Sequence, residues 1–287
     1  VTLAPGIHTI DADTYHRDEI TDQPSLSASV AAILCQQSPA HARAAHPRLN
    51  PSFVQEETKK EWDIGTAAHS LLLEGTDLAY VVEGYDNWKT NAAKAEAAEA
   101  RAQGKIPMLR PQWEAVSEMV EVARAKLAAH PDVPALTDGV AEQTLVWQED
   151  GVSLRARLDW LLRETHATIL DYKTARSADP RVFERQAVAQ LGYDVKAAFY
   201  RRAVRAVTGV DAKFFWLVQE KVAPFELSVV TPGPDVLAIG EDKVEHAIRV
   251  WRRCVTTGEW PGYSSGVETA ELPPWAEAQW LERREAA

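Results

Sequence analysis

The residues most able to do chemistry lie close together: Asp171-Tyr172-Lys173-Thr174, with Asp159 twelve residues before. On a β-strand, residues two apart point to the same face, their Cα atoms ~7 Å apart. A carboxylate at 171 and an ammonium at 173 therefore leave room for a metal ion and a water. The carboxylate would bind the ion. The lysine would orient or deprotonate the water, or neutralise charge developing on a phosphate. Asp-x-Lys alone is common, but Asp159 ends the run Leu154-Arg155-Ala156-Arg157-Leu158-Asp159. The alternation there places Leu154, Ala156, Leu158 and Trp160 on one side and Arg155, Arg157 and Asp159 on the other. If the two strands pair through a loop at 163–167, Asp159 and Asp171 converge. Two carboxylates ~4 Å apart repel by roughly 4 kcal/mol at an effective dielectric of 20. Something cationic must hold them, and Lys173 with a divalent ion would do so. Oxygen donors suit Mg²⁺ or Mn²⁺. The alternative is a solvent-facing hairpin with an Arg–Asp–Lys charge ladder.

Two further groups are candidates. His69 lies on a helix beside Gly65, Thr66 and Ala68. Its imidazole is a tolerable third ligand for Mn²⁺ and a less natural one for Mg²⁺, and a packing role is the alternative. Glu142 opens a strand and could add a carboxylate, or be an exposed strand-end glutamate. There is no G-x-x-x-x-G-K-[ST], no G-x-S-x-G and no H-E-x-x-H, so phosphate chemistry must rest on a metal and on Lys/Arg.

The elements that must position these groups follow from periodicity. Ser27 caps a helical SASVAAILCQQ ended by Ser38-Pro39, and residues 43–57 read as loop. A helix is expected from Thr58 to Glu74, stopped by Gly75, with Trp62, Gly65, Thr66, His69, Leu72 and Leu73 on one face. Residues 90–102 read as an exposed or mobile helix, and 112–130 as another. The period then changes to two: Glu142–Gln148, Val152–Leu162 and Thr168–Lys173 read as strands, with an Asp150-Gly151 turn between the first two. Asp179-Pro180 opens a helical region to about Val207, closed by Gly209. Strands Lys213–Glu220 and Phe225–Val230, a helix Asp235–Thr257 and an irregular aromatic tail complete the chain. This is an α/β (α+β) pattern: a mainly helical part over 1–135, a mixed sheet flanked by helices over 136–260, and a tail over 261–287. Nothing resembles a linker long enough to separate two domains.

The chain of 287 residues is 46% hydrophobic and 25% charged, which permits a sizeable core. No stretch approaches the ~20 apolar residues of a membrane span, and the start lacks the basic and apolar regions of a secretory signal. Two cysteines, Cys35 and Cys254, cannot build a four-thiolate zinc or iron–sulfur site, and an intracellular, cytoplasmic location is expected. The net charge of −11 at first opposes nucleic-acid binding. Residues 153–213, however, hold 12 Lys/Arg against 7 Asp/Glu, a local +5 that leaves −16 for the rest. A basic segment within an acidic remainder suits a DNA surface on an otherwise repelling molecule.

His69 in GTAAHSLLLEG, then RARLDW, then DYKTARSADP, then YDVKAAFY resembles the exodeoxyribonuclease VIII-like (RecE-like) phage branch of the PD-(D/E)XK nucleases. The resemblance runs from LSASVAAIL to TGEWPGY. It implies a restriction-endonuclease-like core, with Asp159, Asp171 and Lys173 as the catalytic set and His69 completing the metal site. Two Mg²⁺ or Mn²⁺ ions are implied, one activating water and one stabilising the leaving oxygen. Arg155, Arg157, Arg176, Lys196 and Tyr200 become candidate DNA contacts. Lys196 stands where the family's Gln-x-x-x-Tyr motif has glutamine. The implied activity is exonuclease action on double-stranded DNA ends, 5′-to-3′, giving 3′ single strands for recombination. A single-strand annealing protein and a homo-oligomeric ring are the implied partners. The alternatives are a RecB-type or CRISPR-associated repair nuclease of the same fold, and a non-catalytic DNA-binding recombination module.

Overall fold

The computed structural model describes residues 2–53, 60–163 and 167–286. Nine strands are described: β1 (Gly6–His8), β2 (Leu26–Ser27), β3 (Ala79–Val82), β4 (Ile106–Leu109), β5 (Val140–Glu149), β6 (Val152–Leu162), β7 (Thr168–Ala175), β8 (Lys213–Glu220) and β9 (Leu227–Val230). With them stand helices α1 (Ala12–His16), α2 (Ala28–Gln36), α3 (Pro39–Ala44), α4 (Lys60–His69), α5 (Asn91–Ala102), α6 (Arg110–Ala128), α7 (Pro180–Phe183), α8 (Tyr193–Thr208), α9 (Pro234–Thr257) and α10 (Pro274–Glu285). The expected helix start at Thr58, the end of the 43–57 loop, the side chain of Trp62 and most of the 163–167 loop lie outside the described residues.

The central sheet runs β1-β5-β6-β7-β8-β9, with β2 added to β6. Pairing is antiparallel except for β7 with β8 and β2 with β6, so the sheet is mixed, as expected. One face carries α2, α8 and α9 over Leu145, Trp147, Leu154, Ala156, Leu158, Phe214 and Trp216. The other carries α4 and α6 over Trp160, Leu170, Tyr172 and Leu217. The chain's first 27 residues are thus not only helical: β1 and β2 enter the sheet. Strands of two to four residues hold too few side chains for alternation to show. The strand expected from Phe225 begins at Leu227, because Phe225 adopts a left-handed backbone (φ 57°). The tail expected to be irregular ends in α10, with Trp275 and Trp280 exposed.

Three features of the sheet create a gap. β6 meets β5 along almost its whole length, from Val152 to Leu161. On its other edge it pairs with β7 only at Trp160–Leu162 and with β2 only at Leu154 and Arg155. On that edge, residues 156–159 lie between these two short ladders with no strand among the described residues paired to them. The inward faces also exchange here. Leu154, Ala156 and Leu158 belong to the first core, yet Trp160 belongs to the second, although strict alternation predicts the same side for all four. The β5–β6 pairing skips one position: between the pairs Ala141–Trp160 and Gln143–Leu158 stand Glu142 and Asp159, and Glu142 is a non-glycine residue with φ 55°. A left-handed residue within a strand re-aims the side chains that follow, as a bulge does.

The β2 end of the gap is closed by a buried ionic network. Asp18, fully buried, accepts hydrogen bonds from Ser25 and lies 2.7 Å from Arg155 Nη1. His46 and Arg48 approach the same carboxylate. Arg155 also donates to the Ser25 carbonyl and hydroxyl. Arg155, expected as a DNA phosphate contact, has a side chain only 4% exposed and engaged by Asp18 and Ser25, at the wall of the cavity that holds the candidate site. Removing one partner of a buried pair leaves the other charge uncompensated, at a cost of ~3–5 kcal/mol. Arg155→Ala should lower unfolding stability in urea by about that amount. A variant as stable as the parent would show that the pair is not needed to seat β2.

Candidate functional site

Asp159 is the last residue of β6 before the β6–β7 ladder closes. Where the strands part, its Oδ2 accepts the Tyr172 N–H at 2.9 Å, a backbone donor that β6 would otherwise have paired. Its carboxylate thus stands in the wedge. Lys173 Nζ lies 3.1 Å from the same oxygen and 2.9 Å from Asp171 Oδ1, so one ammonium bridges both aspartates. Asp171 is nearly buried, toward α8, where Lys196 and Tyr200 approach. β7 itself is fixed from the other side: the Tyr172 hydroxyl donates to Gln219 Oε1 on β8, and Gln219 Nε2 to the Met119 carbonyl on α6.

His69 arrives from the opposite face, as the last residue of α4. Gly65, one turn before, lets the helix lie close to β7: a Cβ there would meet Thr174 Oγ1 at 2.9 Å. His69 Nε2 is 3.3 Å from Glu142 Oε1 and 3.6 Å from Asp159 Oδ2. Glu142 is held from behind by a hydrogen bond from Arg157 Nε, and Arg157 also donates to the Ile10 carbonyl. Ligand atoms of His69, Glu142 and Asp159 all lie within 4.8 Å of one another, the metal-capable group among the described residues.

Burial and charge act against each other here. Burial acts to raise the Asp159 pKa, but Lys173 and His69 outweigh it and hold the carboxyl far below the usual range. Burial dominates at Asp171, whose pKa is pushed up to about 6 despite Lys173. At His69 burial acts to lower the pKa, but Asp159 and Glu74 at its nitrogens and the charge of Glu142 push it up to about 10. Without a metal, the proton on His69 is the cation that lets Glu142 and Asp159 stand together. Two carboxylates and an imidazole form a donor set suited to Mn²⁺ and acceptable to Mg²⁺, so the residues fit a divalent ion.

Of the expected site residues, His69, Glu142, Asp159 and Lys173 come together. Asp171 is attached to them through Lys173 and stands outside the three-donor group. Arg157, expected as a phosphate contact, is mostly enclosed, bonds Glu142 and lines the same cavity as His69 and Asp159. Arg176 is exposed just beyond β7, and Lys196 lies over the Tyr193 ring at 4.8 Å. Tyr200 lines, with His69, Glu142 and Asp159, a cavity of about 630 Å³ walled by α1, α2 and α4. The reading of the sequence missed Glu74, which faces His69 Nδ1 at 3.7 Å. It also missed that much of the cavity wall, from Ala12 to Phe53, comes from the chain's first 53 residues.

Residues 29–273 match the model of a family described as a PDDEXK-like domain of unknown function (DUF3799). The chain belongs to this family. The span that matches the PDDEXK-like domain holds all five of His69, Glu142, Asp159, Asp171 and Lys173 and stops just short of α10. Among solved structures, the chain is similar to the "Putative exonuclease" of Eubacterium rectale, with TM-score 0.59 at 16% identity, covering 93% of this chain and 97% of that one. At that identity the likeness speaks for the fold alone. A second, SSO0001, gives TM-score 0.35 at 9% identity, covering 88% and 95%. No curated protein matches the chain.

A divalent ion requires neutral imidazole, so loading it must expel the His69 proton. With the folded pKa raised to about 10, that proton is present at pH 8 and is lost only as pH rises through 10. Adding MnCl₂ to weakly buffered protein at pH 8 should release about one proton per bound ion, and affinity should rise with pH. Binding without proton release would remove His69 from the donor set.

Proposed function

We propose that this protein is a divalent-metal-dependent DNA nuclease, and within that class an exonuclease acting on double-stranded DNA ends. The single observation that carries the reading is the wedge: Asp159 between parting strands, with Lys173 bridging it to Asp171 and His69 and Glu142 closing from the other side. His69, Glu142 and Asp159 would hold Mg²⁺ or Mn²⁺, with Asp171 beside them for a second ion. A bound ion supplies Lewis acidity and a nucleophilic water.

The chain's own residues supply the rest. Lys173 points its three donors at Asp159, Asp171 and the Tyr172 carbonyl, so its ammonium is a fixed positive charge at the site. An ammonium aimed at a reacting phosphate stabilises charge as it develops, within a partly water-excluded site. Asp159 and Asp171 fix that ammonium from two sides, so little reorganisation is needed at the moment of reaction. Glu142, oriented by Arg157, completes the acidic wall. The cavity of about 630 Å³ falls in the range of clefts that take a small-molecule-sized group, so it can admit a nucleotide-sized part of a strand. Arg176 and Lys196 are the remaining candidates for phosphate contact, which positions a strand without reading its sequence. The RecE-like resemblance extends the proposal to 5′-to-3′ polarity, 3′ single strands for an annealing protein, and a homo-oligomeric ring for processivity.

Linear duplex DNA with Mg²⁺ should yield acid-soluble nucleotides, and EDTA should abolish the release. Asp171→Ala and Lys173→Ala should each reduce it by at least ~10²-fold, as loss of one preorganised stabilising group does. Release at the parental rate by either variant would remove this site from the reaction. Cleavage of covalently closed circles as fast as linear DNA would favour a repair endonuclease of the same fold. DNA binding with no release under any metal would favour a non-catalytic module.

Binding to DNA in Ca²⁺ or EDTA tests the surface. Arg176→Ala and Lys196→Ala should each weaken binding, and each should reduce the slope of log K against log salt by about 0.9. An unchanged slope in both variants would place the DNA elsewhere on the protein.

A further inference from the structure

We infer that Glu74 is a positioning residue for His69, holding the imidazole by Nδ1 so that Nε2 is presented to the cation shared with Glu142 and Asp159. The inference rests on the metal-site reading above and names how its histidine is oriented.

The backbone makes the contact possible. α4 ends at His69, and residues Ser70–Glu74 continue as a π-helical turn closed by Gly75 in the left-handed conformation (φ 65°). In a regular α-helix, residues five apart point about 140° away from each other. A π turn is wider, with i→i+5 bonding, and brings the fifth residue back beneath the first. Ser70 ties the turn down: its hydroxyl donates to the Thr76 carbonyl, and its own carbonyl accepts the Thr76 N–H. Glu74 Oε1 thereby stands 3.7 Å from His69 Nδ1, while Nε2 stands 3.3 Å from Glu142 and 3.6 Å from Asp159. The two ring nitrogens are divided between one outer carboxylate and two inner ones.

The other carboxylates of the cluster have fixed partners. Glu142 takes Arg157; Asp159 takes Lys173 and the Tyr172 N–H; Asp171 takes Lys173. Glu74 has His69. A neutral imidazole carries one N–H, and a carboxylate on the Nδ1 side favours the tautomer whose lone pair is on Nε2, the nitrogen that faces the donor group. Glu74 itself lies outside that three-residue group, which is why its part is orientation and not ligation.

The test is Mn²⁺ binding to the full chain by calorimetry, without DNA. Glu74→Ala should weaken binding by about 10- to 100-fold, the usual effect of removing a ligand's outer partner. Glu74→Gln should fall between, because the amide keeps an oxygen on the Nδ1 side but not the charge. In a His69→Ala background, Glu74→Ala should change the affinity little. With Mg²⁺ bound, ¹⁵N spectra of His69 should show one tautomer in the parent and a mixture in Glu74→Ala. If the parent binds no Mn²⁺, the metal-site reading fails and this inference with it. If the parent binds and Glu74→Ala binds equally, the inference alone fails. If Glu74→Ala weakens binding as much without His69 as with it, Glu74 acts by another route and the inference is overturned.

Discussion

Where two paired strands separate, a backbone N–H loses its partner, and a buried donor without one costs about as much as a lost hydrogen bond. At the end of the β6–β7 ladder that donor is the Tyr172 N–H, and Asp159 Oδ2 accepts it. The bond fixes the Asp159 carboxylate in the wedge, where water is scarce and its charge is expensive. Lys173, two residues along the same strand as Asp171, is then drawn between the two acids. The position of the site is thus a consequence of where the sheet opens. The opening in turn depends on β2, which takes up the edge of β6 that β7 has left and is anchored through Arg155 and Asp18.

Charge neutrality then selects the remaining groups. Glu142, Asp159 and Asp171 are three acids within one small volume, set against Arg157, Lys173 and protonated His69. The proton on His69 adds to Arg157 on Glu142 and Lys173 on the two aspartates in holding these acids together. A divalent cation at the same place supplies two charges where the proton supplied one, and frees imidazole to become a donor. The acids that raise the His69 pKa are thus the same groups that would meet the cation, and the cation would have to displace that proton.

Much of this was legible in the chain. Asp-x-Lys on a strand, an aspartate twelve residues earlier and a change of hydrophobic period from helical to alternating were enough to draw β5 to β8 with boundaries good to two residues. His69 could be placed on a helix face but not over Asp159, because that depends on Gly65 letting α4 approach Thr174. Arg155 and Arg157 alternate with the apolar residues of β6 and so read as surface charges. The chain's first 27 residues cover that face instead, through strands too short to carry a pattern. Trp160 was misassigned for a related reason. Alternation assumes an unbroken strand, and the left-handed Glu142, where the β5–β6 pairing skips a position, interrupts it. Glu74 was invisible because five-residue spacing has no meaning on an ordinary helix.

Those misses share a cause. Glu142 holds a backbone conformation that costs a non-glycine residue roughly 1–2 kcal/mol, and Ser70–Glu74 departs from regular helix at the turn that follows His69. Both irregularities occur at residues whose side chains converge on one spot, and each is held in place by neighbours: Arg157 on Glu142, Ser70 on Thr76. Strain of this kind persists only where surrounding contacts over-determine it, and a regular strand or helix would relax it at no loss to the core. A regular β5 would keep its side chains on their alternating faces and take Glu142 away from His69. A regular helix through Ser70–Glu74 would turn Glu74 away from Nδ1. The fold tolerates local backbone cost where it serves the geometry of this cluster, which is the physical reason for treating the cluster as the candidate site.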